Sequence, residues 1–556
     1  MDGSSGDTHH IGHVDLERRE SHRTPLSRIQ IISVMAPLAA GVFIASLDIT
    51  IIVTALPEIA SHFDSSQIYT WTGSSYALSH ASTTTLWSMI SDIWGRKPIL
   101  FCALGAFFAG SIICAFVDDV KGFIAGRALQ GAGAGGLTTM ANICISDLFS
   151  LRERGLYFGI LSVVMAFASG IGPSLGGVFT ERLSWQWCFY INLPISALAF
   201  VLLLASLPLQ NPKTPIWQGL KAIDWLGTLL VTSGTLMFLL GLTFGGVEYP
   251  WSSITVVSLA VAGIVVIGLF LLTEWKLAKY PMVPLNIFRS GSSVASFAIC
   301  FSHGIVLMGV GFYVPLYFQA VLATGPLLAG VYVLPYVISV AGGAACTGVY
   351  IQRSGTYIVP VYLGLAMTIL GSGLMIDLEQ DYNWVKIVLY QIAAGIGLGI
   401  NFEPALISLQ AATHPDDIAA ATSTFAFVRS LSTAISIVIG GVLFQNQMQD
   451  KANALIASLG QAGYTEYQGS DVLANIYVID KLPQYQQVVI RSAVHESLTG
   501  VWIMYTAFAG LGALAGIFVA VHPLSNIHKS VVLGLPGKQG SFKSVAGNGP
   551  SEDNDK

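Results

Sequence analysis

Apolar residues gather into fourteen runs, at roughly 33–57, 70–90, 99–117, 120–143, 155–179, 188–208, 223–243, 254–273, 294–320, 327–350, 358–376, 385–406, 418–444 and 498–521. At about 1.5 Å of rise per residue, each is long enough for a helix to cross a hydrocarbon layer about 30 Å thick. Only helices and closed barrels satisfy their backbone hydrogen bonds in lipid, and runs of this length read as helices. The pattern therefore predicts an all-α, polytopic membrane protein with fourteen transmembrane helices. The first run starts near Ile31 and is too long and too late for a cleaved signal peptide.

Two spacings recur along the chain. Ser88, Asp92, Gly95 and Arg96 follow the second run as Gly348, Gln352, Gly355 and Thr356 follow the tenth. Arg127, Gly131, Gly133 and Gly135 in the fourth run match Gln391, Gly395, Gly397 and Gly399 in the twelfth. Both matches are offset by eight runs, as expected of a duplicated transporter half. The predicted organisation is a tail over 1–30, a six-helix bundle over 31–208 and two linking helices with their loops over 209–290. A second six-helix bundle follows over 291–521, with an external loop at 445–497, and a tail over 522–556.

Composition agrees with the pattern: 53% of residues are hydrophobic, 10% are charged, and the mean hydropathy is +0.66. A soluble enzyme is excluded on this balance. The net charge of -5 has no basic stripe to meet nucleic acid. Lys and Arg crowd the gaps that share a side with the tails, among them Arg96, Lys97, Arg152, Arg154, Lys276 and Arg353, which places both tails in the cytoplasm. All six cysteines lie in apolar runs and read as buried hydrophobes, with no metal or disulfide spacing.

Ionisable residues inside spans carry the chemistry. A carboxylate at the bilayer centre costs about 2.5–3.5 kcal/mol, so Asp48 should face a cavity or a partner. Glu403, just before Pro404, stands in an otherwise apolar run and reads as a titrating group or a ligand for cationic or polar substrate. Arg429, His80 and His303 are the remaining intramembrane ionisable candidates of this kind. Gln130, Gln319, Gln391 and Gln410 suit a cavity for amphipathic molecules, together with the two histidines.

Several strings carry a resemblance. They are Leu47-Asp48-Ile49-Thr50 in the first run, Ser88 to Pro98 after the second, and Arg127-Ala128-Leu129-Gln130-Gly131 in the fourth. Gly170-Ile171-Gly172-Pro173-Ser174-Leu175-Gly176-Gly177 follows in the fifth, and Trp185 to Pro194 before the sixth. They resemble the major facilitator superfamily, and within it the fourteen-span drug:proton antiporters such as fungal multidrug and toxin efflux pumps. Two departures are Ser88, where the family has Gly, and Gln186, where it has Arg. The resemblance implies a major facilitator fold and assigns Asp92, Gly95 and Arg96 to a conformational latch. It assigns Gly172, Pro173 and Gly176 to a pliable exporter element, and Asp48 with Arg127 to proton coupling, with Glu403 as a further candidate. Arg127 stays charged at any relevant pH, so it can only hold or release the carboxylate.

No phosphate-binding loop of the Walker type is present, so a gradient must supply the work. The expected partners are a small organic substrate, a proton and the lipid bilayer, with no cofactor, and the chain is expected to act as a monomer. The plasma membrane is the expected location, with the vacuolar membrane as alternative. Proton-driven uptake on the same fold and a transport-inactive sensor remain open at this stage.

Overall fold

The computed structural model describes residues 27–63, 67–205, 214–246, 249–278, 281–466, 479 and 482–524. The expected tails therefore lie almost wholly outside the described residues. Among the described residues there is no strand, only an isolated bridge between Gly245 and Tyr249. The long helices, in chain order, are α1 (Arg28–Ile51), α2 (Gln67–Trp94), α3 (Arg96–Phe116), α4 (Val120–Leu148), α5 (Leu151–Arg182), α6 (Asn192–Ala205), α7 (Trp225–Phe244) and α8 (Ile254–Lys276). They continue as α9 (Gly291–Ala320), α10 (Leu334–Ser354), α11 (Ile358–Leu374), α12 (Trp384–Ile400), α13 (Ile418–Asp450) and α14 (Gln484–Gly516).

Twelve helical segments among the described residues are long and apolar enough to cross a membrane. The other two predicted runs coincide with α2 and α4, which are 28 and 29 residues long but carry more polar side chains. α2 holds a series of Ser and Thr, and α4 holds Arg127, Gln130 and a row of glycines. These side chains face protein, as Thr72, Ser75, Thr84, Arg127 and Gln130 are all buried.

Prolines set the breaks. α1 ends at Ile51 and a short helix, Leu56–His62, restarts at Pro57. Pro335 follows the break between Pro326–Tyr332 and α10, and Pro404 opens the short helix Pro404–Ala412 after α12. Each lacks the N–H that would continue the preceding ladder, so the chain stops and restarts there.

The packing repeats at an offset of eight helices. α2 packs on α4 as α10 packs on α12, α3 on α4 as α11 on α12, α1 on α5 as α9 on α13, and α1 on α6 as α9 on α14. The glycine rows permit it. A side chain at Gly395 would strike the Tyr336 carbonyl oxygen at 2.6 Å, and one at Gly131 would strike that of Tyr76. The two tyrosines repeat a further detail, donating to Ala45 O and Leu307 O, each at 3.0 Å. Between the two sets, α5 packs along α10 and α2 along α13, while the α7–α8 hairpin leans on α2 and α13.

The segment 445–497 is helical at its described ends: α13 runs to Asp450, helical turns follow over Ala452–Glu466 with a kink at Gly460, whose φ is 74°, and α14 begins at Gln484. Hydropathy marks where a helix enters lipid, not where it ends: the ends of α13 and α14 here are polar, and the apolar stretch 452–459 is too short to register as a span. Cys102 and Cys346 are exposed, unlike the four buried cysteines. An apolar run has a lipid-facing side as well as a packed one, so apolar context alone does not place a side chain in the core.

Candidate functional site

The first site sits toward the end of the bundle opposite the basic loops. α1 carries Asp48 one turn before its C-terminus, and α4 carries Arg127 two turns after its N-terminus. Both are only 1% exposed. Arg127 Nη1 donates to Asp48 Oδ2 at 2.5 Å and to Gln130 Oε1 at 2.8 Å, while its Nε donates to Thr72 O at 3.0 Å. The other carboxylate oxygen, Oδ1, accepts from Asn192 Nδ2 at 2.7 Å and from Gln130 Nε2 at 3.1 Å. Gln130 also reaches Ser111 Oγ at 2.8 Å, so α1, α3, α4 and α6 meet in one network. The guanidinium carbon lies 4.6 Å from the centre of the Tyr76 ring.

Magnitudes show why the two charges come together. Unit charges near contact attract by about 4 kcal/mol at an effective dielectric of about 20. That is at least the roughly 3 kcal/mol that an isolated carboxylate costs at the centre of a span. Pairing offsets the cost of burial, and the arginine has Gln130 and Thr72 as further acceptors.

At the basic end a second group of charges ties helix termini together. Gly95 has a φ of 95°, a conformation that only glycine adopts without strain, and it turns α2 into α3. Arg96, 1% exposed, donates to Asp92 at 2.5 Å and to Asp147 at 2.7 Å. The two sets are clasped at this end. Arg152 Nε donates to Gln352 O at 2.7 Å, and Arg154 Nη1 donates to Gln410 Oε1 at 2.9 Å. Gln410 Nε2 in turn reaches Ser146 at 2.8 Å and Thr422 at 2.9 Å. The apolar core is continuous across both sets here, joining Phe158 and Met140 to Ile351 and Leu406, and it splits into two separate clusters at the opposite end. The conformation is thus closed at the basic end.

The fifth-run motif packs on the end of α1. A side chain at Gly172 would collide with Thr50 and one at Gly176 with the Ile51 carbonyl, while Pro173 O accepts from Thr54 Oγ1 at 3.3 Å. The motif therefore meets the turn that carries Asp48.

The remaining candidates are placed separately. His80, half-buried, lies between Thr138 Oγ1 at 3.2 Å and Ser430 Oγ at 3.5 Å, bridging the two sets. Gln319 is half-buried in α9, and Gln391 is buried, with Nε2 donating to Ile387 O at 3.2 Å. Glu403 and His303 lie in the second set, near Arg429, apart from the Asp48 network. Asn192, Ser111, Thr72 and Tyr76 complete the Asp48 network without having been singled out; Asn192 stood inside the Trp185 to Pro194 string, a polar residue at the threshold of an apolar run.

The two matched helix sets are those of a membrane transporter, and the chain belongs to the Major Facilitator Superfamily, whose family model matches residues 38–437. It is 45% identical to the efflux pump dotC of Dothistroma septosporum, over 93% of this chain and 88% of that protein. It is 43% identical to the MFS-type transporter ppz2 of Metarhizium majus, over 92% of this chain and 88% of that one. Among solved structures, the proton:xylose symporter XylE superposes with a TM-score of 0.56 at 14% identity, covering 91% of this chain and 99% of that one. The human organic anion transporter MFSD10 gives 0.56 and 14%, covering 88% and 99%. At that identity both show the shared fold.

Proposed function

We propose that this chain exports small, largely apolar organic molecules by alternating access of two six-helix bundles, driven by proton entry. The observation that carries the reading is the fully buried Asp48–Arg127 pair with its spare acceptors. In one conformation Arg127 holds Asp48 ionised. When the site opens to the proton-rich side, a proton cancels the carboxylate charge, frees Arg127 from α1, and favours the alternate packing of α1 against α5. The relatives named efflux pumps support the outward direction, as does the glycine-proline motif at the α1–α5 contact. The count of fourteen spans, the cytoplasmic placing of the basic end, monomeric action and residence in the plasma membrane belong to the same reading.

Expression in a yeast strain lacking its own drug pumps tests it. Cells carrying the chain should accumulate less of at least one toxic hydrophobic compound, and a protonophore should abolish the difference. Equal accumulation across dyes, azoles and fungal secondary metabolites, or a difference that survives the protonophore, would count against it.

A further inference from the structure

The second helix set holds a buried polar cluster that the proton pair does not use. α12 stops at Ile400, and the chain turns through Asn401, Phe402 and Glu403 before Pro404 starts the next helix. Asn401, Glu403 and His303 are 2%, 7% and 4% exposed. Among the described residues, Asn401 Oδ1, Glu403 Oε2, His303 Nδ1 and Arg429 Nε have no hydrogen-bond partner. Buried polar atoms are almost always satisfied, so the three unsatisfied ones of Glu403, His303 and Arg429, which are neighbours, point to a ligand or water that completes them.

The cluster is held in shape by contacts that leave these atoms free. His303 Nε2 donates to Leu398 O at 2.9 Å, and its ring stands edge-on to Phe402 with centroids 5.6 Å apart. Arg429 Nη2 donates to Phe402 O at 2.6 Å, and its guanidinium lies 4.4 Å from the Phe402 ring centre and 5.1 Å from that of Phe425. Glu403 is within electrostatic reach of Arg429 yet makes no ion pair with it among the described residues. At about 1.5 Å per residue, Arg429 in α13 and His303 in α9 both lie roughly 17 Å from the basic end, near mid-bilayer. Broken helices at that depth are where transporters of several folds bind substrate.

We infer that the Glu403–Arg429 gap binds the polar end of the substrate, and that the end it fits is a neutral hydroxyl on an apolar, ring-bearing molecule. A hydroxyl donates to the Glu403 carboxylate and accepts from Arg429 Nε, satisfying both at once. Phe402 and Phe425 flank the gap with apolar ring surface. A permanent cation meets the Arg429 charge, and an anion meets the Glu403 charge, so both are disfavoured. This rests on the reading of the chain as a transporter of organic molecules, and is independent of the role given to Asp48.

Binding to the purified full chain in detergent, with no gradient imposed, tests it using 4-phenylphenol, biphenyl and the permanent cation rhodamine 6G. The wild type should bind 4-phenylphenol about tenfold tighter than biphenyl, the size expected of a hydrogen bond to a buried charge. Glu403→Leu and Arg429→Met should each bring the ratio of the two affinities to about one, whereas Glu403→Gln, which keeps a neutral acceptor oxygen, should retain part of the preference. Equal affinity for the two probes, loss of both together in the variants, or tightest binding of rhodamine 6G would overturn the assignment. If Glu403→Leu does not purify as a monodisperse protein, Arg429→Met reads the same preference. Failure here with export intact removes this subsite alone, and failure of export with the preference intact removes the coupling reading alone.

Discussion

Asp48→Asn should abolish accumulation driven by an imposed pH gradient in inverted membrane vesicles, to the level of vesicles without the protein, while substrate binding stays within about threefold of wild type. The substitution is nearly isosteric, and Arg127 keeps Gln130 at 2.8 Å and Thr72 at 3.0 Å as acceptors. The network stays bonded, so the fold should persist. What is lost is the carboxylate's alternation between charged and neutral. Arg127→Ala differs in kind, because it leaves Asp48 with only the neutral donors Asn192 and Gln130. Removing one partner of a buried pair costs about 3–5 kcal/mol, so that variant should fall in both abundance and transport. Full gradient-driven accumulation by Asp48→Asn would move the coupling role to another carboxylate.

Gly172→Leu should insert into the membrane at near-normal level yet lose nearly all export. The new side chain would be driven into Thr50, two residues from Asp48, and the α1 turn would have to move. Overpacking of this sort costs about 1–3 kcal/mol, which a helix bundle of this size withstands. A transport cycle in which α1 must repack against α5 does not. Gly177→Leu is the control, since nothing lies within 4 Å of a Cβ placed there. Export should survive at Gly177 and fail at Gly172; equal export by the two at equal protein level would remove the packing argument.

Much of the architecture is legible in the sequence, because lipid forces backbone satisfaction and therefore helices of predictable length. The fourteen apolar runs coincide with α1 to α14, and the glycine spacing that betrays the repeat reappears as the paired approaches to Tyr76 and Tyr336. Asp48 and Arg127 stand out for the same reason: charge is rare in a span and must find charge. Their neutral partners are not legible. Asn192, Ser111 and Thr72 are ordinary residues for a membrane helix, and only the rotation of α6, α3 and α2 brings them to the carboxylate. The helical ends of 445–497 escape because hydropathy is blind to a polar helix, and the apolar turns at 452–459 are too short to count as a span. Glu403 is visible as an acid in an apolar run, but that it stands near Arg429 without pairing depends on the break before Pro404.

The central claim is that Asp48 is the group whose proton is exchanged as the transporter cycles. Proton release on substrate binding measures it most directly, using detergent-solubilised protein in a weakly buffered solution with a pH-sensitive dye. With a compound that the yeast screen identifies as exported, addition to the wild type should acidify the solution and addition to Asp48→Asn should not, although both bind it. Equal acidification by the two proteins, or none from the wild type at any pH at which it transports, would contradict the account.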